Sequence, residues 1–329
     1  MRRREVLTGM AGLVTAAVSA RSRLAAASLE TLRVGAPHRL HSSSLYLAQE
    51  QGYFREAGFD LDIQATQGSQ QAFALLAGGR TDVQLGTINV PLLNAIIKGL
   101  PIRIVAGRDN VACGNVGVIY GMRKSFPRGL ADLTQLKGKR VATARAIGTP
   151  QFSLDAQLER AGLSPKDVTA VALENNLIVA ALMGGGVDAC IGTDEFDHTL
   201  AALGPEVVHS GGLAQIYPSF QFGHIMFGQT MLTPDVDRGA RFLSAYLRGA
   251  HDFAHGKTPR FLEDLAKANR LDQKQTMTGC RDTFPLDGAI DLQSLRLYAA
   301  WAARNNYIPR PVEVTELVDD RFLRKSRAS

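Results

Sequence analysis

The sequence predicts an α/β protein built as two lobes, and three observations support this fold class. First, the segment Leu76–Thr87 recurs as Leu182–Thr193, with six identities in twelve positions at an offset of 106 residues. Second, Arg55–Phe59 matches Glu159–Leu163 in the same order, at an offset of 104 residues. Third, patterns typical of strands and helices alternate along the chain, which predicts parallel sheets. A unit built twice in 329 residues indicates two related lobes rather than one core.

Each repeated unit reads as a helix, a Gly-Gly stop, a short strand and a Gly-Thr turn. The strands begin at Asp82 and Asp188, and the turns end at Thr87 and Thr193. Ligands bind at the carboxyl ends of strands in open α/β sheets, so these threonines are predicted to face each other across one cleft. The alternative is that Gly-Gly after a helix and Asp before a strand are common in α/β chains and the match is coincidental.

The helices and strands of the first lobe are predicted from apolar runs and from the Ser, Gly and Pro residues that bound them. Ser43 or Ser44 is predicted to cap a helix ending at Gly52, and Ser69 one that Gly78 stops. The strands are predicted at Leu32–Ala36, Phe59–Ala65, Val83–Leu85, Ile102–Ala106 and Val116–Tyr120. Asn89 or Val90 precedes a helix with proline in its first turn, which ends at Gly99.

The second lobe is predicted to repeat this alternation of strands and helices. Val141–Thr143 reads as a strand, and Gly148-Thr149-Pro150 reads as a turn, a cap and a first-turn proline. Another helix opens at Thr193–Glu195, and Ile225–Phe227 reads as a strand that returns to the first lobe. From Asp235 onward the pattern is helical, and this tail is expected to brace the first lobe.

Residues 1–27 are interpreted as an export signal and excluded from the fold. Arg2–Arg4 precedes an apolar run from Met10 to Val18, and Ala25–Ala27 offers a cleavage site before Ser28. The run is too short to span a bilayer permanently, and Arg3-Arg4 followed by Val6-Leu7 resembles a twin-arginine signal. The alternative is that the amino terminus is basic by chance and is not an export signal. No cysteine lies near the cleavage site, so no lipid anchor is predicted.

Charge and cysteine content narrow the function classes. The signal carries four of the six formal net positive charges, which leaves about +2 for the mature chain. That balance, without a basic and aromatic stripe, gives no support for nucleic-acid binding. Cys113, Cys190 and Cys280 are widely spaced, so at most one disulfide is possible and none is assigned. Cys190 is expected to pack as a small hydrophobic residue.

Several blocks, in a consistent order, resemble the solute-binding proteins of nitrate/sulfonate/taurine-type ABC importers, the NMT1/THI5-like family. They are Leu45–Phe59, Ala77–Asp82, Lys98–Pro101, Leu136–Ala142 and Leu158–Leu163. The resemblance implies a type II periplasmic-binding-protein fold, with two α/β lobes joined by a hinge and the ligand cleft between them. It places lobe 1 at 28–119 with 225–329 and lobe 2 at 120–224. It further implies a periplasmic monomer that binds a small polar organic molecule and delivers it to an ABC permease, with no cofactor or metal and no catalysis.

The resemblance, carried over loop by loop, places twelve residues at the cleft. Helix amino ends there present unpaired N–H groups suited to an anionic oxygen, and hydroxyls can donate or accept. The alternative for each is a cap that only satisfies its own helix. The expected ligand-binding residues are His41, Ser43, Ser44, Gly68, Ser69, Thr87, Asn89, Gly148, Thr149, Thr193, Asp194 and Glu195.

The chain departs from the family at the second-lobe turn. Many members carry Trp-Glu-Pro there, whereas this chain has Thr193-Asp194-Glu195-Phe196. Adjacent carboxylates would repel a simple inorganic anion such as nitrate and favour a ligand with a cationic group. The alternative is that they only supply negative charge to the first turn of a helix. His224 and Tyr217 are further, weaker candidates.

Two other functions share this fold. One is a pyrimidine-forming enzyme of thiamine synthesis, but its cysteine-rich iron-site motif and the common catalytic motifs do not occur in this sequence. The other is a ligand-binding partner of a periplasmic sensor, which would share every residue-level feature.

Overall fold

The computed structural model describes residues 29–66, 68–111, 116–144, 147–192, 200, 203–268 and 283–328. Two five-stranded sheets organise these residues into two α/β lobes. In chain order the strands are β1 Glu30–Pro37, β2 Phe59–Thr66, β3 Val83–Thr87, β4 Arg103–Asn110, β5 Ile119–Met122, β6 Arg140–Ala144, β7 Thr169–Leu173, β8 Ala189–Ile191, β9 Val207–His209 and β10 Gln221–Phe227. The predicted two-lobe α/β fold class is therefore confirmed.

The two sheets share one topology. The first has the order β2-β1-β3-β10-β4 and the second β7-β6-β8-β5-β9. In each sheet the first three strands are parallel and the fourth runs antiparallel. That fourth strand is the one by which the chain arrives from the other lobe, since β5 follows β4 and β10 follows β9. The chain therefore crosses between the lobes twice.

The internal repeat is visible in the side chains as well as in the strand order. At the start of β3, Asp82 accepts hydrogen bonds from the backbone N–H and the guanidinium of Arg33 on β1, at 2.7 to 3.0 Å. At the start of β8, Asp188 accepts the same set from Arg140 on β6, at 2.9 to 3.2 Å. The Asp residues of the repeated motif thus have a shared structural role, which is to join the second and third strands of each sheet order, β1 with β3 and β6 with β8.

Helices cover both faces of each sheet. They are α1 Ser43–Glu50, α2 Tyr53–Glu56, α3 Gly68–Ala77, α4 Val90–Ile97, α5 Thr149–Arg160, α6 Asn175–Met183, α7 Val236–Ala254, α8 Phe261–Ala268, α9 Leu292–Arg304, α10 Val314–Leu317 and α11 Arg321–Ala328. As predicted, the tail braces the first lobe, because Phe242 and Tyr246 of α7 pack with Val34 and Leu85. In the part of the chain that the structure describes, no helix combines the length and apolarity needed to cross a membrane.

Four local predictions were wrong. Ser69 does not cap α3, because that helix already begins at Gly68. Ser42, not Ser43 or Ser44, occupies the N-cap position of α1, because Ser43 is already the first helical residue. Gly148 is the N-cap of α5, and Thr149 is its first helical residue. The strand predicted at Val116–Tyr120 begins only at Ile119, because Gly117 has a φ of 64° and interrupts the extended backbone.

Candidate functional site

The lobes meet where the amino ends of α4 and α5 approach each other. Asn89 and Gly148 form an antiparallel backbone bridge. The N–H of Val90 donates to the Ile147 carbonyl at 3.2 Å, and the Thr149 hydroxyl donates to the Ile88 carbonyl at 3.4 Å. The structure therefore brings together Asn89, Gly148 and Thr149, three predicted site residues from two separate lobes.

The side chains at this contact are already engaged. Asn89 accepts a hydrogen bond from the N–H of Leu92 at 2.8 Å and donates to the Thr87 carbonyl at 3.1 Å, so it is the N-cap of α4. The Thr149 hydroxyl is used between the lobes rather than within its own helix. These bonds connect the two lobes, and separating the lobes would free the Thr149 hydroxyl and the Val90 N–H.

A narrow pocket opens beside this contact, on the wall of the first lobe. Its free volume is about 10 Å³, scarcely room for one water molecule, and its walls are mostly carbon. Thr87 and Asn89 lie at one end of it, and its walls are formed by Ala72, Phe73, Leu76, Gln84, Gly86 and Met226. In this arrangement of the lobes the pocket is therefore too small to hold an organic ligand.

Gln84 is the polar exception in this wall, and the sequence analysis did not select it. Its amide donates to the Leu85 carbonyl at 2.8 Å, while its Oε1 accepts no hydrogen bond within the described parts of the chain. A side chain at position 35 would collide with that oxygen, because a Cβ on Gly35 would lie 2.0 Å from it. A glutamine inside an apolar strand was the available sequence signal, since a buried amide normally finds partners.

The amino end of α1 holds a second group of predicted residues. Ser43 and Ser44 are fully buried, and the Ser43 hydroxyl has no hydrogen-bond partner among the described residues. The His41 ring packs edge-on against Phe222 with centroids 5.7 Å apart. The His41 carbonyl accepts a hydrogen bond from Arg108 at 2.8 Å. Ser43 and Ser44 are thus parts of the interior of the first lobe, whereas His41 is half-buried.

Arg108 and Asp109, at the end of β4, form a buried ion pair that the sequence analysis also missed. Their charged groups lie 2.6 Å apart, and the side chains are 1% and 0% exposed. Since a buried charge requires a partner, the pair neutralises itself and leaves no net charge on this wall. An adjacent Arg-Asp at the end of an apolar strand was the available signal.

His224 and Tyr246 belong to the same buried region. Desolvation, aided by the positive charge of Arg108, lowers the pKa of His224 to about 3, against the opposing influence of the Phe222 carbonyl and Asp291. Desolvation likewise raises the pKa of Tyr246. Both groups are therefore uncharged at neutral pH. The first-lobe wall offers hydrogen-bonding groups rather than a free charge.

The remaining predicted residues cannot be placed at the site. Thr193, Asp194 and Glu195 lie outside the described residues, as do Cys113 and Cys280. The backbone of Gly68 and Ser69 begins α3, but their side chains are not among those described. Cys190 is buried in β8, as expected for a small hydrophobic residue. Within the described ranges, no group of His, Cys, Asp and Glu side chains is arranged to hold a metal ion.

A family model described as NMT1/THI5 like matches residues 40–256. The chain belongs to this family. The match covers the second lobe, four of the five strands of the first sheet and every predicted site residue, and it ends before the tail helices from Phe261 onward.

Solved structures with this fold include periplasmic binding proteins. The alkanesulfonate-binding protein SsuA of Xanthomonas axonopodis pv. citri, bound to MOPS, has a TM-score of 0.68 at 18% identity, over 89% of this chain and 99% of that chain. The aliphatic sulphonate binding protein SsuA of Escherichia coli has a TM-score of 0.70 at 17% identity, over 90% and 99%. The nitrate-binding protein NrtA of Synechocystis PCC 6803 has a TM-score of 0.68 at 15% identity, over 91% and 89%. These likenesses support the fold.

Curated relatives carry a different name. The 4-amino-5-hydroxymethyl-2-methylpyrimidine phosphate synthase of Schizosaccharomyces pombe is 28% identical over 150 residues, which are 46% of this chain and 40% of that protein. The synthase THI12 of Saccharomyces cerevisiae is 29% identical over 150 residues, which are 46% of this chain and 42% of that protein. The matched region thus spans less than half of these relatives.

Proposed function

We propose that this chain is the exported solute-binding component of an ABC importer, which captures a small polar organic ligand between its lobes and delivers it to a membrane permease. The observation that carries the proposal is the contact between Ile88–Val90 and Ile147–Thr149, with a pocket opening beside it. Loops from different lobes meet in this contact, and we propose that it forms as the cleft closes. A protein that must report its ligand to a partner benefits from a site that depends on closure.

The chemistry of the first-lobe wall supports an organic ligand over a simple inorganic anion. The charge of Arg108 is neutralised by Asp109, and His224 is uncharged. The pocket walls are mostly carbon, with the buried side chains of Gln84 and Asn89 as polar groups. We therefore propose a sulfonate, zwitterionic or nitrogenous compound as the ligand. Asp194 and Glu195 remain the proposed partners of a cationic group on that ligand.

The twelve predicted residues remain our proposed binding set, and the lobe boundaries at 28–119 with 225–329 and at 120–224 remain proposals. We further propose that residues 1–27 direct export to the periplasm, and that the mature chain acts as a monomer without a cofactor, lipid anchor or nucleic-acid partner.

A second function is favoured by the names of the curated relatives, which are pyrimidine phosphate synthases. An enzyme would change its ligand, whereas an importer component would release it intact. A periplasmic sensor partner would also release it intact, and neighbouring genes would separate these cases: a permease and an ATPase support import, and a receptor kinase supports sensing.

The test begins with a thermal-shift screen of the mature protein against alkanesulfonates, amino acids, pyrimidines and aromatic acids. A ligand at 100 times its Kd stabilises the folded state by about 2.7 kcal/mol. Mass spectrometry of each hit, after incubation and denaturation, then establishes whether the ligand is recovered unchanged. Unchanged recovery of a bound ligand supports transport or sensing. Conversion to a product would overturn the proposal in favour of the enzyme.

A further inference from the structure

The helix α5 carries the second-lobe side of the contact and also adjoins both crossings between the lobes. Its Ser153 hydroxyl and its Gln157 amide donate to the Gly117 carbonyl at 2.9 and 2.7 Å. Ser210, in the returning segment, donates to the Gln157 Oε1 at 2.6 Å and accepts from the N–H of Ile119 at 2.9 Å. All these groups are buried. The position of α5 is therefore coupled to the two segments where a hinge motion must occur.

The opposite face of α5 packs against α9, a helix of the tail. The ring of Phe152 contacts those of Tyr298 and Trp301, with centroids 5.6 and 5.4 Å apart. The Trp301 Nε1–H donates to the Asp155 carboxylate at 2.8 Å. Asp155 and Trp301 are only 1% and 2% exposed. This is a dry contact between a second-lobe helix and the tail, where an unpaired carboxylate would be costly.

The other end of α9 is fixed to the first sheet. The N–H of Gln221, at the start of β10, donates to the Ser294 hydroxyl at 2.9 Å, and the Gln221 side chain accepts from the N–H of Asp291 at 2.9 Å. Ten residues of helix separate Asp291 from Trp301, which corresponds to about 15 Å. The helix α9 is therefore a rigid strut from the first sheet to α5, and a third connection between the lobes beside the two crossings.

We infer that Asp155 and Trp301 are positioning residues of the cleft. Their hydrogen bond holds α5 against the strut, so that Gly148 and Thr149 at its amino end meet Ile88–Val90 in register. The carboxylate makes this bond charge-assisted, and its second oxygen is occupied by the Gln151 amide at 2.8 Å. We expect α5 to turn about this contact rather than leave it, so that Trp301 stays buried in both the open and the closed forms. The consequence for ligand affinity rests on the proposed function, whereas the positioning itself does not.

The amide of Val90 provides a test that needs no ligand. It donates across the lobes to Ile147 and occupies the first turn of α4, where no partner within the helix exists. Its hydrogen exchange therefore reports separation of the lobes. In Asp155→Leu we expect exchange at Val90 to rise about ten-fold or more, as for loss of a hydrogen bond to a charged group. Trp301→Phe keeps the aromatic packing, removes the donor, and should raise exchange in the same direction.

The matched control is Glu159→Gln, one turn further along α5. It removes an exposed ion pair to Arg304 at 3.0 Å and should leave exchange at Val90 unchanged. If the leucine variant does not fold, Trp301→Phe carries the exchange test, because it removes the same hydrogen bond from the donor side. Trp301 is the sole tryptophan of the chain, so quenching of its fluorescence by acrylamide should increase in the Asp155 variant.

Unchanged exchange at Val90 in folded Asp155 and Trp301 variants would overturn the inference. In the wild type, mild urea can promote separation of the lobes before global unfolding. If acrylamide then reaches Trp301, the inference is also overturned. A response at Val90 without any detectable ligand in the screen would instead leave the positioning role standing and count against the proposed function.

Discussion

The duplicated ion pairs allow one prediction in which the protein supplies its own control. Asp82 and Asp188 occupy equivalent positions and accept the same bonds from Arg33 and Arg140, but their side chains are 6% and 23% exposed. Asp82 also accepts a bond from the Thr230 hydroxyl at 2.7 Å. Substitution of each Asp by Asn preserves its shape, removes its charge and turns one acceptor oxygen into a donor. The effects should differ because the burial differs.

For Asp82→Asn we expect the free energy of unfolding to fall by about 2 kcal/mol. A hydrogen bond to a charged group contributes roughly 1.5–3 kcal/mol, and the lower part of that range applies because the Arg33 side chain is 38% exposed and can turn to solvent. For Asp188→Asn the loss should be less than half as large, since its partner is more exposed and solvent replaces the lost interaction more completely.

Urea unfolding followed by circular dichroism measures both variants, with the m-value checked for constancy. Burial raises the pKa of Asp82, but the hydrogen bonds from Arg33 and Thr230 and the charge of Arg33 together outweigh it and lower the pKa. The stability that Asp82 contributes is therefore present above the pKa of the unfolded state and is lost as the pH falls through the pKa of the folded state. The difference between wild type and Asp82→Asn should therefore shrink in acid. Equal losses in the two variants at neutral pH would refute the reasoning from burial.

Three further predictions follow from other parts of the chain. Arg3→Lys combined with Arg4→Lys should trap the precursor in the cytoplasm, and unaltered export on cell fractionation would remove the twin-arginine interpretation. For a bound ligand with a cationic group, Asp194→Asn or Glu195→Gln should weaken binding by roughly 2–5 kcal/mol in calorimetry, mainly through faster dissociation. If both variants bind with wild-type affinity, the acidic pair only supplies negative charge to a solvated first turn of a helix. Because the pKa of His224 is lowered to about 3 in the folded state, the unfolded state binds more protons below its ordinary value near 6.5, and stability should fall by up to about 2 kcal/mol from pH 6.5 to 5. His224→Gln should lose that pH dependence, and an unchanged slope would show that the imidazole does not cause it.

Much of the fold could be predicted because its signals are local. The Gly-Gly stops and the Asp residues that follow them located β3 and β8, and the repeat itself required two related sheets. Helix starts were predicted less accurately. Ser42, Ser43 and Ser44 offer nearly equivalent caps in sequence, so the choice depends on how the loop before α1 is held, which here includes the bond from Arg108 to the His41 carbonyl.

The candidate site was predictable in its loops but not in its contacts. Spacing placed Asn89 and Gly148 at the amino ends of two helices, yet only the tertiary structure shows that they bridge the lobes. Gln84 and Arg108 were missed because each lies in an apolar strand, where periodicity predicts burial without showing what a polar side chain contacts.

The sequence by itself therefore determined the repeated unit, the two α/β lobes and the loops at the strand ends, because these depend on residues near one another in the chain. The tertiary structure alone decided that the tail helix α9 reaches α5 through Trp301 and Asp155, and that Arg108 is neutralised by Asp109 inside the first lobe. The contact between α9 and α5 depends on the path of the chain between the lobes. The pairing of Arg108 with Asp109 depends on both charges being buried at the same place. Neither property is encoded in the periodicity of any single segment.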